Sequence, residues 1–270
     1  MLLSGAGVAF LPTTAKLAYQ SGSDVLTVAF VRGIIAGLIL LIVALMVGQR
    51  LRLPRDLVLP SIVVAIAGVV FVYGMLTSIM TINIGLAILI LYLSPIVIAA
   101  YEHYRGVTRM QPMQWLWGLV ACAGLILILR ARFEAESLIG LSLSFAAMLA
   151  VVVITLVNVK IVHRTGSLVA NLHMTLWGLL IFAVVLVVTG EFRQPQTALG
   201  WSGLLGNGVA YCVAWVSFFA GARILGATRA SMVTLVEPVM AAGMAWLIFG
   251  ENFTPTQWLG FFIVLLAVFL

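Results

Sequence analysis

The sequence predicts an all-α integral membrane protein with ten transmembrane helices, arranged as two inverted five-helix repeats. Composition, the spacing of apolar runs and an internal repeat lead to this fold class. Of the 270 residues, 64% are hydrophobic and only 8% are charged. A soluble domain could not hide so much apolar surface in one core, so lipid must cover it. The lipid bilayer is therefore an expected partner.

Ten apolar runs follow one another along the chain, separated by short polar breaks. Each has roughly the 18 to 25 residues that a helix needs to cross a bilayer core of about 30 Å. Backbone groups in lipid must be satisfied within their own segment, and the alternation typical of a barrel is absent, so helices are favoured. The predicted spans are residues 2–19, 25–48, 57–79, 84–104, 113–129, 138–162, 168–188, 199–222, 228–249 and 256–270.

The first run could also be interpreted as a secretory signal peptide, because it is apolar and opens the sequence. It lacks a basic region before the apolar stretch, however, and carries Lys16 near its end. Both features favour a helix of the fold over a signal peptide.

An internal repeat divides the chain into two related halves, predicted to cover residues 1–132 and 137–270. Two prolines, a glutamine and a tryptophan recur at a constant spacing of 143 positions. Such self-similarity indicates a duplicated structural unit. The matched residues are Pro95, Ala99, Pro112, Gln114, Trp115 and Leu116 in the first repeat, and Pro238, Ala242, Pro255, Gln257, Trp258 and Leu259 in the second.

Five spans is an odd number, so the second repeat must enter the membrane from the opposite side to the first. Inverted repeats of this kind let a secondary transporter exchange the conformations of its two halves. A cytoplasmic amino terminus agrees with the positive-inside rule and makes both termini cytoplasmic. The net charge of +6 then needs no nucleic-acid partner. The inside loops hold Arg50, Arg52, Arg55, Arg105, Arg109, Lys160, Arg164, Arg223 and Arg229, and the outside loops hold Arg130, Arg132 and Arg193.

The repeated segments also resemble a known family. Residues 235–242 read LVEPVMAA, residues 249–251 read FGE, and residues 255–260 read PTQWLG. This pattern resembles the signature end of an EamA-type domain of the drug/metabolite transporter superfamily, with a weaker copy around Ser94 and Pro95. The resemblance implies a bacterial inner-membrane protein of ten helices around a central cavity. Within the superfamily the chain is most similar to YddG-type exporters, which export aromatic amino acids.

Pro95 and Pro238 lie about ten residues into their spans, close to the bilayer midplane at about 1.5 Å per residue. Each removes a backbone hydrogen bond and should bend its helix. The freed carbonyl needs a new partner, so such a bend is most tolerable beside a cavity. We expect a hinge at both prolines; a kink that only helps the bundle to pack is the alternative.

Glu237 is the most distinctive candidate for function. A carboxylate at mid-depth costs about 2.5 to 3.5 kcal/mol on insertion scales, so it should be neutral, paired or in water. It could bind a substrate ammonium group or carry a coupled proton. A structural role is the alternative, in which Glu237 accepts hydrogen bonds from the Ser231 and Thr234 hydroxyls.

Polar and aromatic residues within the spans are candidates to line the cavity with Glu237. An aromatic amino acid needs flat apolar walls and polar groups for its ammonium and carboxylate, although ordinary helix packing is the better explanation of any one aromatic residue within a span. The candidates are Tyr73, Thr77, Tyr92, Ser94, Asn158, His173, Trp177, Tyr211, Trp215 and Ser217.

Arg32 lies about eight residues into the second span, deeper than an arginine that reaches the interface. The sequence offers Asp24 as its partner, and a substrate carboxylate is the alternative. Gly33 and Gly37 form a small-xxx-small pattern that serves either close helix packing or a homodimer contact.

The sequence carries no signal for an enzyme. Cys122 and Cys212 lie within spans, and the histidines lack ligand spacing, so neither catalytic residues, a metal nor a cofactor is predicted. A glycine-rich phosphate loop for ATP is absent. We therefore expect a secondary transporter that exports amino acids, aromatic ones in particular, by alternating access. The alternatives are a carrier of another drug, metabolite or nucleotide sugar, and a passive channel.

Overall fold

The computed structural model describes residues 1–79, 81–129, 137–240, 243 and 254–269, and every regular element in these ranges is helical. The predicted all-α class is thus confirmed. A 3₁₀ turn, Thr234–Val236, leads into helical residues 237–240. The helices are α1 Leu2–Gln20, α2 Val25–Met46, α3 Arg55–Ile79, α4 Ile84–Leu91, α5 Ser94–Tyr104, α6 Pro112–Leu129, α7 Leu138–Thr165, α8 Ser167–Thr189, α9 Ala198–Leu225, α10 Ala227–Val233 and α11 Pro255–Phe269.

Seven stretches of the described chain are long and apolar enough to cross a membrane. The helix α1 is not one of them, because Lys16 and the polar residues beside it lower its hydropathy, and α11 is shorter. Residues 244–249 of the predicted ninth span lie outside the described residues, as do Arg130, Arg132 and the FGE segment. The ten-helix count therefore stays a prediction. The seven stretches are Val25–Met46, Arg55–Ile79, Gly85–Tyr104, Pro112–Leu129, Leu138–Thr165, Ser167–Thr189 and Ala198–Leu225.

The chain forms two compact units that do not coincide with the two halves of the sequence. Unit 1 combines Met1–Val69 with Val157–Arg223, and unit 2 combines Val70–Leu156 with Ile224–Leu270. Each unit therefore combines residues from both repeats. The long helices α3 and α7 contribute to both units.

In unit 1, α2 packs antiparallel to α8. A methyl group on Gly33 would lie 3.3 Å from Leu179, and one on Gly37 would lie 3.9 Å from Thr175. Residue numbers rise from Gly33 to Gly37 on α2 as they fall from Leu179 to Thr175 on α8, so the two helices run antiparallel. The small-xxx-small pattern thus serves helix packing within this unit, as small residues allow backbones to approach closely in lipid.

The same unit joins α1 to α9 through a buried amide. The Nδ2 of Asn207 donates to the backbone oxygen of Leu11 and to the Thr14 Oγ1, both at 2.9 Å. Gly203 on α9 faces the same turn, because a methyl group there would lie 2.7 Å from the Thr14 backbone oxygen. Interhelical hydrogen bonds of this kind add to packing inside a membrane bundle.

In unit 2, α6 packs antiparallel to α11. A methyl group on Gly260 would lie 2.6 Å from the backbone oxygen of Gly124, so the two backbones approach closely. The Nε2 of Gln257 donates to the Ile128 backbone oxygen at 3.2 Å. A second antiparallel contact in this unit joins α3 to α7, where the Ser78 Oγ donates to the Gly140 backbone oxygen at 3.0 Å.

The recurring Pro-x-Gln sequence is explained by helix capping. Pro112 and Pro255 begin α6 and α11, where the missing N–H of proline has no intrahelical partner to lose. The Gln114 Oε1 accepts from the Gln111 N–H at 2.9 Å, and the Gln257 Oε1 accepts from the Thr254 N–H at 3.1 Å. Each glutamine is therefore the third-position member of a capping box.

Gln257 caps α11 and also donates to the Ile128 backbone oxygen, so its replacement should cost more stability than that of Gln114. Gln257→Ala should lower the free energy of unfolding by about 1 to 2 kcal/mol, because it removes the cap and leaves a carbonyl without its donor. Gln114→Ala, the matched control on the exposed end of α6, should cost only about 0.5 to 1 kcal/mol. Denaturant unfolding in detergent measures both. Equal losses would show that the bond to Ile128 adds nothing.

Candidate functional site

The predicted fourth span is interrupted just before Pro95. The helix α4 ends at Leu91, Tyr92 and Leu93 form a turn, and Pro95 occupies the first turn of α5. Proline is tolerated there because the N–H that it lacks would have no partner in a first turn. The expected bend within one helix is thus a break between two helices.

The second repeat is irregular at the matching place. The helix α10 ends at Val233, and the 3₁₀ turn at Thr234–Val236 precedes Glu237 and Pro238. A displacement of 143 positions brings this turn onto residues 91–93. Both repeats therefore lose α-helical geometry immediately before the recurring proline.

Two contacts in unit 2 join the segments on either side of the interruptions. The Tyr92 hydroxyl lies within reach of the carboxyl group of Glu237, and both side chains are half-buried. Further along, the Glu102 carboxylate on α5 accepts from the Thr228 Oγ1 at 2.6 Å and from its N–H at 3.2 Å. Residue numbers rise along α5 as they fall along α10, so these segments run antiparallel.

The hydroxyls expected to serve Glu237 bond the backbone instead. The Ser231 Oγ donates to the Thr228 oxygen at 2.8 Å, and the Thr234 Oγ1 donates to the Ser231 oxygen at 2.6 Å. Serine and threonine in helices commonly bond a carbonyl one turn earlier. Glu237 therefore keeps acceptor capacity beyond its contact with Tyr92, as a carboxylate has about four lone-pair sites. Such a group can bind a cation or take up a proton.

A second cluster lies in unit 1. The Arg32 guanidinium carbon lies 4.8 Å from the centre of the Tyr211 ring. The Tyr211 ring is 6.2 Å from that of Trp215, which in turn stacks on Phe219 at 5.6 Å. Arg32, Tyr211 and Trp215 are half-buried, whereas Phe219 is fully buried. The cluster combines a cation with a continuous aromatic surface.

Arg32 does not pair with Asp24. The Asp24 Oδ1 caps α2 by accepting from the Thr27 N–H at 2.8 Å. The ion pair recorded among the described residues joins Arg164 and Asp56, both exposed. An arginine at this depth costs about 2.5 to 3.5 kcal/mol on insertion scales, and contact with an aromatic face recovers about 0.5 to 2 kcal/mol, depending on how far the pair is desolvated. Its charge is thus only partly compensated within the described chain.

Several buried polar atoms of unit 1 have no hydrogen-bond partner among the described residues. They include both amide atoms of Asn158, the Thr175 Oγ1 and the Trp177 Nε1. His173 differs, because its Nε2 lies 2.9 Å from the Leu51 backbone oxygen and donates to it. His173 therefore has a backbone partner, whereas the Trp177 Nε1 on the same helix has none among the described residues.

The remaining predicted residues take no part in these contacts. Tyr73 is 61% exposed on α3, and Thr77 lies half-buried one turn later. Ser94 is buried beside Pro95 at the start of α5, and Ser217 is half-buried on α9. None of the four joins the Tyr92–Glu237 pair or the Arg32–Tyr211 contact.

The predicted site residues divide between the two units. Arg32 and Thr175 were not among the predicted cavity residues, although the position of Arg32 within an apolar span had offered a substrate carboxylate as an alternative partner for it. Thr175 carried no such signal, since threonine is common in helices of this kind. Unit 1 holds Asn158, His173, Trp177, Tyr211, Trp215 and Ser217, and unit 2 holds Tyr73, Thr77, Tyr92, Ser94, Pro95, Glu237 and Pro238.

Both halves of the chain are similar in sequence to a family of known proteins. The sequence model of the EamA-like transporter family matches residues 1–130 and again residues 138–270. One relative is the uncharacterized transporter YvbV of Bacillus subtilis, 24% identical over 97% of this chain and 86% of its own length. Another is the uncharacterized transporter sll0355 of Synechocystis sp., 26% identical over 69% of this chain. The match covers 62% of the Synechocystis protein.

A solved crystal structure has the same fold. It superposes with a TM-score of 0.82 over 99% of this chain and 95% of its own, at 16% sequence identity. At this identity the likeness concerns the fold alone.

Proposed function

Because the chain belongs to the EamA-like transporter family, we propose that it is a secondary transporter exporting amino acids, aromatic ones in particular, across the bacterial inner membrane. The observation that carries the proposal is the pair of interrupted helices before Pro95 and Pro238, with Tyr92 of one interruption in contact with Glu237 beside the other. Interruptions in spanning helices are tolerated where they line a cavity or are buried in protein, and transporters use them as binding sites.

Alternating access follows from an inverted repeat, which the helix contacts support. Three pairs of spans occupy equivalent places in the two repeats, and each pair runs antiparallel where it touches. A repeat that entered the membrane from the same side would place its copies parallel. Exchange of conformations between inverted halves turns an inward-open cavity into an outward-open one. The pairs are α2 with α8, α6 with α11, and the two interrupted spans that contain α5 and α10.

In this mechanism Glu237 receives the substrate ammonium group. A carboxylate that holds one phenol hydrogen bond still has sites for an ammonium, and charge-assisted bonds of this type are worth about 1.5 to 3 kcal/mol. Ser94 occupies the equivalent position in the first repeat. The two halves therefore differ in charge at equivalent positions, directly before the recurring proline.

The non-α-helical segments also provide hinges. Residues that end or begin helices absorb changes of φ and ψ when bundles move against one another. Tyr92 and Leu93 lie between two helices, and Thr234–Val236 forms only a single 3₁₀ turn. We propose that both segments bend during transport, with the Arg- and Lys-rich loops and both termini on the cytoplasmic side.

Counterflow tests the proposed function. Liposomes that contain the purified protein and unlabelled tryptophan should take up labelled tryptophan faster than liposomes loaded with buffer. Protein-free liposomes control for leakage. A channel would show no acceleration by internal substrate. Flux of none of the twenty amino acids, with flux of a nucleotide sugar or an amphiphilic cation, would overturn the amino acid assignment.

A further inference from the structure

We propose that Arg32, in contact with the ring of Tyr211, recognises the carboxylate of the transported solute. The site would select aromatic compounds that bear a carboxylate over the corresponding amines. This inference rests on the proposed transport function and names a group of the substrate that residues of unit 1 would bind.

Arg32 has bonding capacity that the described residues do not use. Its guanidinium has five N–H donors, and the described residues offer it neither a hydrogen bond nor an ion pair. Contact with the face of Tyr211 at 4.8 Å attracts the charge without supplying an oxygen acceptor. A carboxylate fits this arrangement, because its two oxygens match the guanidinium edge in a bidentate pair.

A buried hydroxyl without a hydrogen-bond partner among the described residues lies beside the same tyrosine. The Thr175 side chain is only 5% exposed, and its hydroxyl has no hydrogen-bond partner in the described chain. It lies near the Tyr211 hydroxyl without forming a hydrogen bond of ordinary geometry. Buried hydroxyls are rarely left unsatisfied, so a ligand or water is expected at Thr175. Arg32 on α2, Thr175 on α8 and Tyr211 on α9 thus present donors to one place.

An aromatic surface extends from Tyr211 along α9. Trp215 follows one turn later on α9, and its ring is held by stacking on the fully buried Phe219. An aromatic ring held in this way is a flat, fixed wall. A molecule with a carboxylate at one end and an aromatic ring at the other would therefore contact Arg32 and Trp215 together.

A purely structural role for Arg32 makes a different prediction. If the arginine only ties α2 to α9, its loss should weaken the fold and reduce the affinity for every solute alike. A recognition role should affect only solutes that carry a carboxylate. The distinction needs probes with the same ring and different charged groups.

Three indole compounds supply those probes. Tryptophan carries both charges, indole-3-propionate carries only the carboxylate, and tryptamine carries only the ammonium. In the wild-type protein, both acids should compete with labelled tryptophan in counterflow. Arg32→Gln should weaken competition by both acids by about tenfold or more, in line with loss of a charge-assisted pair, and leave tryptamine unchanged. Arg164→Gln, which removes an exposed arginine, is the matched control and should behave as wild type.

Thermal stabilisation in detergent gives a second readout that does not require transport. Each acid should raise the unfolding temperature of the wild-type protein, and Arg32→Gln should abolish the rise. Equal effects of Arg32→Gln on acids and amine would overturn the inference, as would a wild-type protein that binds neither acid. If Arg32→Gln does not fold, Arg32→Lys and the wild-type preference for acid over amine decide the question. Wild-type protein that moves no solute would instead overturn the proposed function.

Discussion

Replacing Glu237 by Gln should reduce the rate of amino acid transport about tenfold or more while the protein stays folded. Gln has nearly the same shape as Glu, and its carbonyl oxygen can still accept from the Tyr92 hydroxyl. It lacks the negative charge, however, so the charge-assisted bond to a substrate ammonium is lost. Such bonds are worth about 1.5 to 3 kcal/mol, which corresponds to roughly 10- to 150-fold in affinity.

Initial rates of labelled tryptophan uptake in counterflow measure this effect, with equal amounts of reconstituted protein. Glu237→Asp keeps the charge and should retain more activity than Glu237→Gln. Glu102→Gln is the matched control in the same unit, since Glu102 bonds Thr228 and has no place in the proposed site. Its rate should stay within about twofold of wild type, because a neutral amide can still accept from the Thr228 hydroxyl.

A structural role for Glu237 would give the opposite result. If the carboxylate mainly holds the two interrupted segments together, Glu237→Gln should lower the unfolding temperature and leave the rate per folded molecule unchanged. Tyr92→Phe extends the test, because it removes the donor and keeps the ring. A folded Glu237→Gln protein that transports at the wild-type rate would contradict the proposed role.

The helices could be predicted from the sequence because lipid imposes a simple rule on it. A span needs a long apolar run, and the runs near α2, α3 and α6 to α9 follow directly from that requirement. The repeat was equally visible, and its Pro-x-Gln element has a local cause in helix capping. Such features depend on neighbours in the chain, so a single sequence contains them.

The partners of charged groups could not be predicted, because they depend on which helices meet. Asp24 had two local uses, as a helix cap or as a partner for Arg32, and the cap prevailed since Thr27 is only three residues away. Tyr92 and Glu237 lie in different repeats, and no spacing in the sequence joins them. The division into compact units has the same origin, because each unit combines stretches from both repeats.

Gly260→Ala should cause a large loss of stability. A Cβ atom there would lie 2.6 Å from the Gly124 backbone oxygen and 2.8 Å from the Leu127 Cβ, and neither neighbour is the end of a flexible side chain. Overpacking of this kind costs about 1 to 3 kcal/mol or more. The higher helix propensity of Ala offsets at most about 1 kcal/mol. The clash should therefore prevail, with a net loss of up to about 2 kcal/mol in the free energy of unfolding.

The control for this effect is Gly68→Ala in α3, where a Cβ atom would meet nothing within 4 Å. It gains the same helix propensity without a clash, so its unfolding free energy should be unchanged or higher by up to about 1 kcal/mol. Unfolding in detergent compares the two variants directly. If Gly260→Ala were as stable as Gly68→Ala, the result would contradict the close approach of the α6 and α11 backbones at this position. The antiparallel pairing of these two helices, one of the three pairs that support an inverted repeat, would then rest on the Gln257–Ile128 bond alone.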